Sequence, residues 1–313
     1  MTLYQQILDP VRLREGWLQV YANRGAAGID GVTCEQFNLA LDAHIAHLAA
    51  QLQSGQYRPS PLLYVWKNRE DGTRERLLLI PIIADRVVQS TAMQVLSPIA
   101  EELFYNGSYA YRKGRSVQQA VLAVCQLLQE GYCWVVDADI QDFFDTIDHA
   151  RLRTLLTQTF EDRQLTQLIM QWMAAPVQSQ HGLQPRNSGV PQGSPISPLL
   201  ANLYLDALDQ HVAAQGFNHI RYADDFLILC RTLEEAEQAL LQTDRQLKQI
   251  RLQLHREKTG IVHLHEGFQF LGEWFDRDFF FDTRPHEGRT AGPARQRENR
   301  GPYRRFDFPF WGR

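Results

Sequence analysis

HIRYADDFLILC, His219 to Cys230, decides how this chain reads. Two apolar runs flank Ala223, Asp224 and Asp225, which predicts two paired strands with acids at the bend of the hairpin. Upstream, WVVDADI, Trp134 to Ile140, reads as another buried strand. Its Asp137 and Asp139 are two residues apart, so on a strand they face the same side. A lone Asp-Asp pair is most often a solvated turn. Two acidic strand segments with apolar flanks are a different matter, because clustered carboxylates that cannot be hydrated one by one need a cation. Oxygen-only ligands favour Mg²⁺ or Mn²⁺ over zinc. Two such ions, about 3.5–4 Å apart, would activate an attacking oxygen and stabilise a leaving one in a phosphoryl transfer. Strand alternation does not separate Asp137 from Asp139 as a ligand.

Composition agrees with a catalytic body built around metal. The chain has 313 residues, 44% hydrophobic and 22% charged, with a formal net charge of −4. That apolar share excludes global disorder, and the length suits about two domains, or one large one with an appendage. The charge is unevenly placed. From Arg284 onward eight arginines face Glu287, Glu298 and Asp307, so the tail carries +5 and the remainder −9. An acidic body handling a polyanion would need cations at its centre, while the Arg-, Gly- and Pro-rich tail reads as disordered or partner-bound. No apolar run is long enough to span a bilayer, and the N-terminus lacks the pattern of a signal peptide. A cytoplasmic chain with no membrane partner is expected. Cys34, Cys125, Cys133 and Cys230 form no CxxC pair, so buried free thiols are expected rather than a zinc site.

Working outward, the pattern is α+β. Phe37, Leu41, Ile45, Leu48 and Leu52 recur at helical spacing and predict one helix, stopped at Gly55. Residues 57–66, with two prolines, suggest an edge strand, and residues 62–80 a hairpin about the turn EDGTRE. Ile83 to Leu96 reads as a helix ended near Pro98. Ser116 and Gln119 make a capping box for another. Helices are expected over 149–173 and Pro198 to Ala213, and after Thr232. Two short strands are expected around 261–265 and 268–272. GVPQGSP, Gly189 to Pro195, is a loop whose small residues allow close backbone approach, but it matches no phosphate-cradle signature.

Taken together, these blocks resemble the bacterial reverse transcriptases of the group II intron-like lineage. The blocks, in order, are NRGAAGIDGVTCEQF, RERLLLIPIIADRVVQ, SYAYRKGRS, DIQDFFDTIDH, GVPQGSPISPLLANLYLDALD, YADDFLIL, LQLHREKTGIV and FQFLG. SYAYRKGRS departs from the family pattern at Ala110, Tyr111 and Lys113. The resemblance runs from about residue 12 to 275. It implies a right-hand polymerase, with fingers and fingers–palm helices over 1–130 and a palm with a small antiparallel sheet over 131–275. The basic, aromatic tail of 276–313 would then follow, with the thumb short or absent.

The resemblance also assigns roles. Asp139, Asp224 and Asp225, with Ile140, would bind two Mg²⁺, for which Mn²⁺ could substitute; Asp139 is chosen over Asp137 because it heads D-I-x-x-F-F. Phe144 matches the residue that stacks on the incoming sugar and excludes a 2′-hydroxyl, which implies a DNA product. Gln192 and Gly193 match the loop at the nascent base pair, and Arg76 the fingers contact to the triphosphate. Arg115 resembles a nucleotide contact, and Lys258 the position proposed to protonate pyrophosphate. The implied substrates are dNTPs, an RNA template and a DNA or RNA primer. Fewer than forty residues follow FLGEWF, which implies a stand-alone form. Such forms supply DNA copies of RNA to a CRISPR spacer integrase, serve antiphage defence, or are truncated intron proteins; the first is favoured. A non-catalytic RNA-binding scaffold is the alternative class, and it gives no reason for three repelling carboxylates in an apolar sheet.

Overall fold

The computed structural model describes residues 1–68, 75–179 and 182–277. Residues 69–74, where the sequence leads one to expect a turn, the side chain of Arg76 and the basic tail from residue 278 lie outside the described residues. In chain order the elements are α1 (Leu3–Ile7), α2 (Pro10–Ala22), α3 (Cys34–Leu39), α4 (Leu41–Gln53), β1 (Leu62–Asn68), β2 (Glu75–Ile80), α5 (Ile83–Glu101) and α6 (Val117–Gln129). There follow β3 (Trp134–Asp139), α7 (Phe143–Thr146), α8 (His149–Phe160), α9 (Arg163–Met173), β4 (Val177–Ser179), β5 (Gly182–Gln184) and α10 (Ser197–Ala214). The last are β6 (Asn218–Tyr222), β7 (Asp225–Cys230), α11 (Leu233–Gln249), β8 (Gly260–His263), β9 (Phe268–Phe270) and β10 (Glu273–Phe275). This is a mixed α+β fold with small sheets. No helix among the described residues is long and apolar enough to cross a membrane.

The chain forms two compact units. Among the described residues, one comprises Met1–Phe104 and Asp142–Asp206, and the other comprises Tyr105–Gln141 and residues 207–277. In the first unit, α2 lies on α5 so closely that a Cβ on Gly16 would meet Thr91 Oγ1 at 2.2 Å. The polar residues of IADRVVQ are buried and bonded. Asp85 accepts from the Tyr57 hydroxyl (2.6 Å) and the Ser60 amide (2.9 Å), and burial pushes its pKa up to about 6. Arg86 donates to the Pro81 carbonyl (2.8 Å) and to the carbonyl of Ala26, which ties the glycine-rich Asn23–Gly31 stretch to α5. The sheet of this unit has the order β2-β1-β4-β5, with β1 and β4 parallel.

The second unit holds a sheet of order β6-β7-β3-β8, antiparallel throughout. Its register sets Val135 opposite Leu229, Asp137 opposite Leu227 and Asp139 opposite Asp225. Those residues share one face, by the alternation of side chains along a strand. At one end that face is apolar. Val135, Leu227, Leu229 and Val262 pack there with Ala120, Val124 and Leu128 of α6 and with Phe268, Phe270 and Phe275. The other end is acidic.

Several expectations need correction. The helix expected across Phe37 to Leu52 is two, broken at Ala40, where φ is −125°. β1 is an interior strand between β2 and β4, because both prolines, Pro59 and Pro61, precede it and leave its ladder intact. α5 continues through Pro98 to Glu101. β8 completes the four-stranded sheet, and β9 pairs instead with β10, which the pattern did not reveal. All four cysteines are free, but only Cys34 and Cys230 are buried; Cys125 and Cys133 are half-buried.

Candidate active site

The acidic end of the second unit's sheet is built by two turns of chain. Tyr222 pairs with Asp225, leaving Ala223 and Asp224 as a two-residue hairpin loop. Ala223 has φ +61°, a left-handed conformation that costs a residue with a Cβ roughly 1 kcal/mol. The tight bend sets Asp224 beside Asp225. Across the ladder, β3 ends at Asp139, held on both sides. The Ile140 amide donates to the Asp224 carbonyl (3.3 Å), and the His255 amide to the Asp139 carbonyl (2.8 Å). The Asp139 amide reaches Thr259 Oγ1 (3.4 Å), and Ile140 bridges Leu254.

Carboxylates directly opposite on neighbouring strands repel. The consequence is visible at Asp225, whose pKa is pushed up to about 7 by burial first, and then by the charges of Asp137, Asp139 and Asp224. Lys258 opposes this, and its Nζ lies 2.9 Å from Asp139 Oδ2. Asp137, Asp139, Asp224 and Asp225 thus gather at this end of the sheet, with the Lys258 ammonium against Asp139. Among the described residues no three such side chains stand together as a ready-made metal cage. The donor chemistry nevertheless fits a hard divalent cation: every ligating atom is oxygen, the group is half-shielded from water, and a cation already sits against Asp139 in the form of Lys258.

Of the other residues singled out in the sequence, Arg115 also belongs to the second unit. Its guanidinium donates to the Asn106 carbonyl and side chain (both 3.2 Å) and lies 5.4 Å from the centre of the Tyr109 ring. Phe144, Gln192 and Gly193 belong to the first unit. There, Gly189 donates to the Ile147 carbonyl and Val190 to the Phe144 carbonyl, each at 2.7 Å, so the GVPQGSP loop is stitched to the Phe143–Thr146 turn. Gly189 has φ +78°, and a Cβ there would meet Phe144 O at 2.8 Å, so the stitch needs glycine. The Gln192 carbonyl accepts from Leu79 of β2 (2.8 Å), and Ser194 Oγ donates to Gln89 (2.7 Å). Phe144 is buried beside Phe143, with ring centres 5.3 Å apart. Arg76 pairs with Lys67 in the β1–β2 ladder, while its side chain lies outside the described residues.

The sequence reading missed Asp209, His219 and Arg221. All are buried, and Arg221 forks onto Asp209 (Nε–Oδ1 2.7 Å, Nη2–Oδ2 2.5 Å) while His219 Nε2 lies 2.9 Å from Asp209 Oδ1. The sequence offered little signal for them, since β6 reads Asn-His-Ile-Arg-Tyr with polar residues throughout.

Comparison with known proteins identifies the family. Residues 67–275 match the model of the family described as reverse transcriptase (RNA-dependent DNA polymerase). Protein YkfC of Escherichia coli K12 is 28% identical over 311 residues, covering 86% of this chain and 81% of that protein. The group II intron-encoded protein LtrA of Lactococcus lactis is 31% identical over 212 residues; the match covers 67% of this chain and 35% of LtrA. Among solved structures, a chain of a partial Cas6-RT-Cas1–Cas2 complex is 29% identical with a TM-score of 0.50, covering 80% of this chain and 42% of that one. Telomerase from Candida albicans, at 12% identity and a TM-score of 0.52, shares the fold over 77% of this chain and 48% of its own.

Proposed function

Because the chain belongs to the reverse transcriptase (RNA-dependent DNA polymerase) family, we propose that its acidic sheet end is the polymerase centre, extending a primer with deoxynucleotides along an RNA template. The observation that carries this is the Asp139–Asp225 cross-strand pair with Asp224 at the bend, carboxylates close enough together that the Asp225 pKa is pushed up to about 7 by burial and by its acidic neighbours. Asp139, Asp224 and Asp225 would hold two Mg²⁺ ions, and Ile140, whose side chain is apolar, could add only its main-chain oxygen. When bound, such ions supply an activated 3′-oxygen and charge for the departing pyrophosphate. Lys258, whose Nζ donates to Asp139 Oδ2 (2.9 Å), would give a proton to that pyrophosphate. Gln192 and Gly193 would contact the nascent pair, Arg76 and Arg115 the nucleotide, and the Phe144 ring would fill the space a 2′-oxygen needs.

The proposed pathway is the copying of RNA into DNA for CRISPR spacer acquisition, with the integrase proteins as partners. It is supported by the likeness to the chain from the Cas6-RT-Cas1–Cas2 complex. Primer extension on matched RNA and DNA templates, with dNTPs and then rNTPs, tests the activity. Extension on RNA with dNTPs is expected, and failure there under Mg²⁺ and Mn²⁺ alike refutes it. Phe144→Ala should lower the dNTP/rNTP ratio of kcat/KM by at least ~10-fold, and an unchanged ratio places the sugar gate elsewhere. Co-purification with a spacer integrase, tested against an unrelated nucleic-acid enzyme, checks the pathway.

A further inference from the structure

Arg221 is fully buried and makes four described side-chain hydrogen bonds, three of which build a closed bracket. Nε and Nη2 grip Asp209 on α10, and Nη2 also donates to Ser108 Oγ (2.8 Å). The bracket is anchored further by the main chain: the Arg221 amide donates to the Gly107 carbonyl (2.8 Å), and the Tyr109 amide to the Arg221 carbonyl (2.9 Å). Gly107 fits because a Cβ there would meet the His219 carbonyl at 2.3 Å. His219, whose Nε2 lies 2.9 Å from Asp209 Oδ1, is stacked on Tyr105 with ring centres 4.5 Å apart and planes 4° from parallel.

The fourth bond leaves the bracket. Nη1 donates to the carbonyl of Ala223 (3.0 Å), the left-handed residue that makes the bend. Next along the chain is Asp224, whose own carbonyl accepts from Ile140 at the end of β3. A buried Arg–Asp pair is an inefficient way to stabilise a sheet, since an apolar pair of similar volume often does as well. What an apolar pair could not do is hold that carbonyl. The planar, preorganised fork makes Arg221 a rigid strut between α10 and the bend.

We infer that Arg221, clamped by Asp209 and Ser108, is a positioning residue that holds the strained Ala223–Asp224 bend in the geometry that polymerisation requires. This rests on the reading of Asp224 and Asp225 as the polymerase centre. It gives a physical role to the SYAYRKGRS segment, whose Ser108 and Tyr109 form part of the bracket.

The test compares Arg221→Lys and the milder Ser108→Ala with the unaltered protein. Three readouts are taken: nucleotide incorporation, the Mg²⁺ concentration for half-maximal rate, and hydrogen exchange of the Ile140 amide. A lysine keeps the charge but cannot span Asp209, Ser108 and Ala223 together. Arg221→Lys is expected to lower kcat about 10²-fold with KM for primer-template changed less than ~3-fold. Half-maximal rate should need several-fold more Mg²⁺, and the Ile140 amide should exchange faster while Leu227, in mid-strand, does not. Ser108→Ala should show the same pattern, reduced. A purely structural arginine would lower the active fraction and leave the Mg²⁺ requirement and the Ile140 exchange untouched; that result overturns the inference. If Asp224→Asn, run in parallel, remains active, the reading of the centre itself fails, which is a separate outcome.

Discussion

Asp209 and Asp225 belong to the same unit, and both are shielded from water, yet their acidities move in opposite directions. Asp209 is fully buried, which by itself would raise its pKa, but Arg221 and His219 more than offset this and hold it down at about 2. Asp225 is less buried, and its neighbours are other carboxylates, so it is pushed up to about 7. The first carboxylate has its cation supplied by the chain. The second has three other acids about it, and the Lys258 ammonium lies against one of these, Asp139. The contrast lies in what surrounds each acid: Asp209 has both oxygens held by Arg221 and His219, whereas Asp225 stands among other carboxylates, the environment in which the proposed metal centre would bring in a diffusible cation.

The largest stability effect is expected on the closed side. Asp209→Asn strands Arg221 as a buried unpaired charge and should cost about 3–5 kcal/mol, lowering Tm on the order of 10 °C. A loss below ~1 kcal/mol would mean the pair is not the closed unit described.

On the open side, acidity makes stability fall as pH rises. Asp225 has a folded pKa of about 7 against 3.8 unfolded, so its contribution is complete below 3.8 and lost as pH climbs through 7. Metal-free protein should therefore be less stable at pH 8 than at pH 6, by on the order of 1 kcal/mol or ~2–4 °C in Tm. Asp85, with a folded pKa of about 6, acts in the same sense but mostly below this window. Asp225→Asn should flatten the pH 6–8 slope, and Mg²⁺ should restore the unaltered protein at pH 8. A flat profile in metal-free protein would remove the electrostatic contrast on which the comparison depends.

The smallest effect belongs to Asp137→Asn. Asp137 contributes charge to Asp225 from one pair further back along the same face. Its loss should shift the pH slope downward and change incorporation by less than ~10-fold. A loss as deep as that of the three assigned acids would make Asp137 a ligand.

The open side was legible in the sequence and the closed side was not, for a physical reason. Acids inside apolar strand runs break a local pattern, so Asp137, Asp139, Asp224 and Asp225 stand out by position, although position does not choose between Asp137 and Asp139. Asp209 sits in a helix, LANLYLDALDQ, where an acid every few residues is ordinary, and its partner, Arg221, is twelve residues further on in a strand. Pairing across elements leaves no periodic trace. The same holds for β4 and β5, strands of three residues that are too short to alternate visibly, and for β10. Capping chemistry is local, and it was legible: Ser116 accepts from the Gln119 amide and Gln119 returns the bond, as the capping box requires.

The most direct measurement is single-nucleotide incorporation on an RNA template by Asp224→Asn, with its melting curve recorded beside that of the unaltered protein. The account predicts a fall in rate of orders of magnitude at saturating Mg²⁺, with Tm unchanged or slightly raised, because one repelling charge is removed without touching the Arg221 bracket. An unchanged rate with a normal melting curve would contradict it.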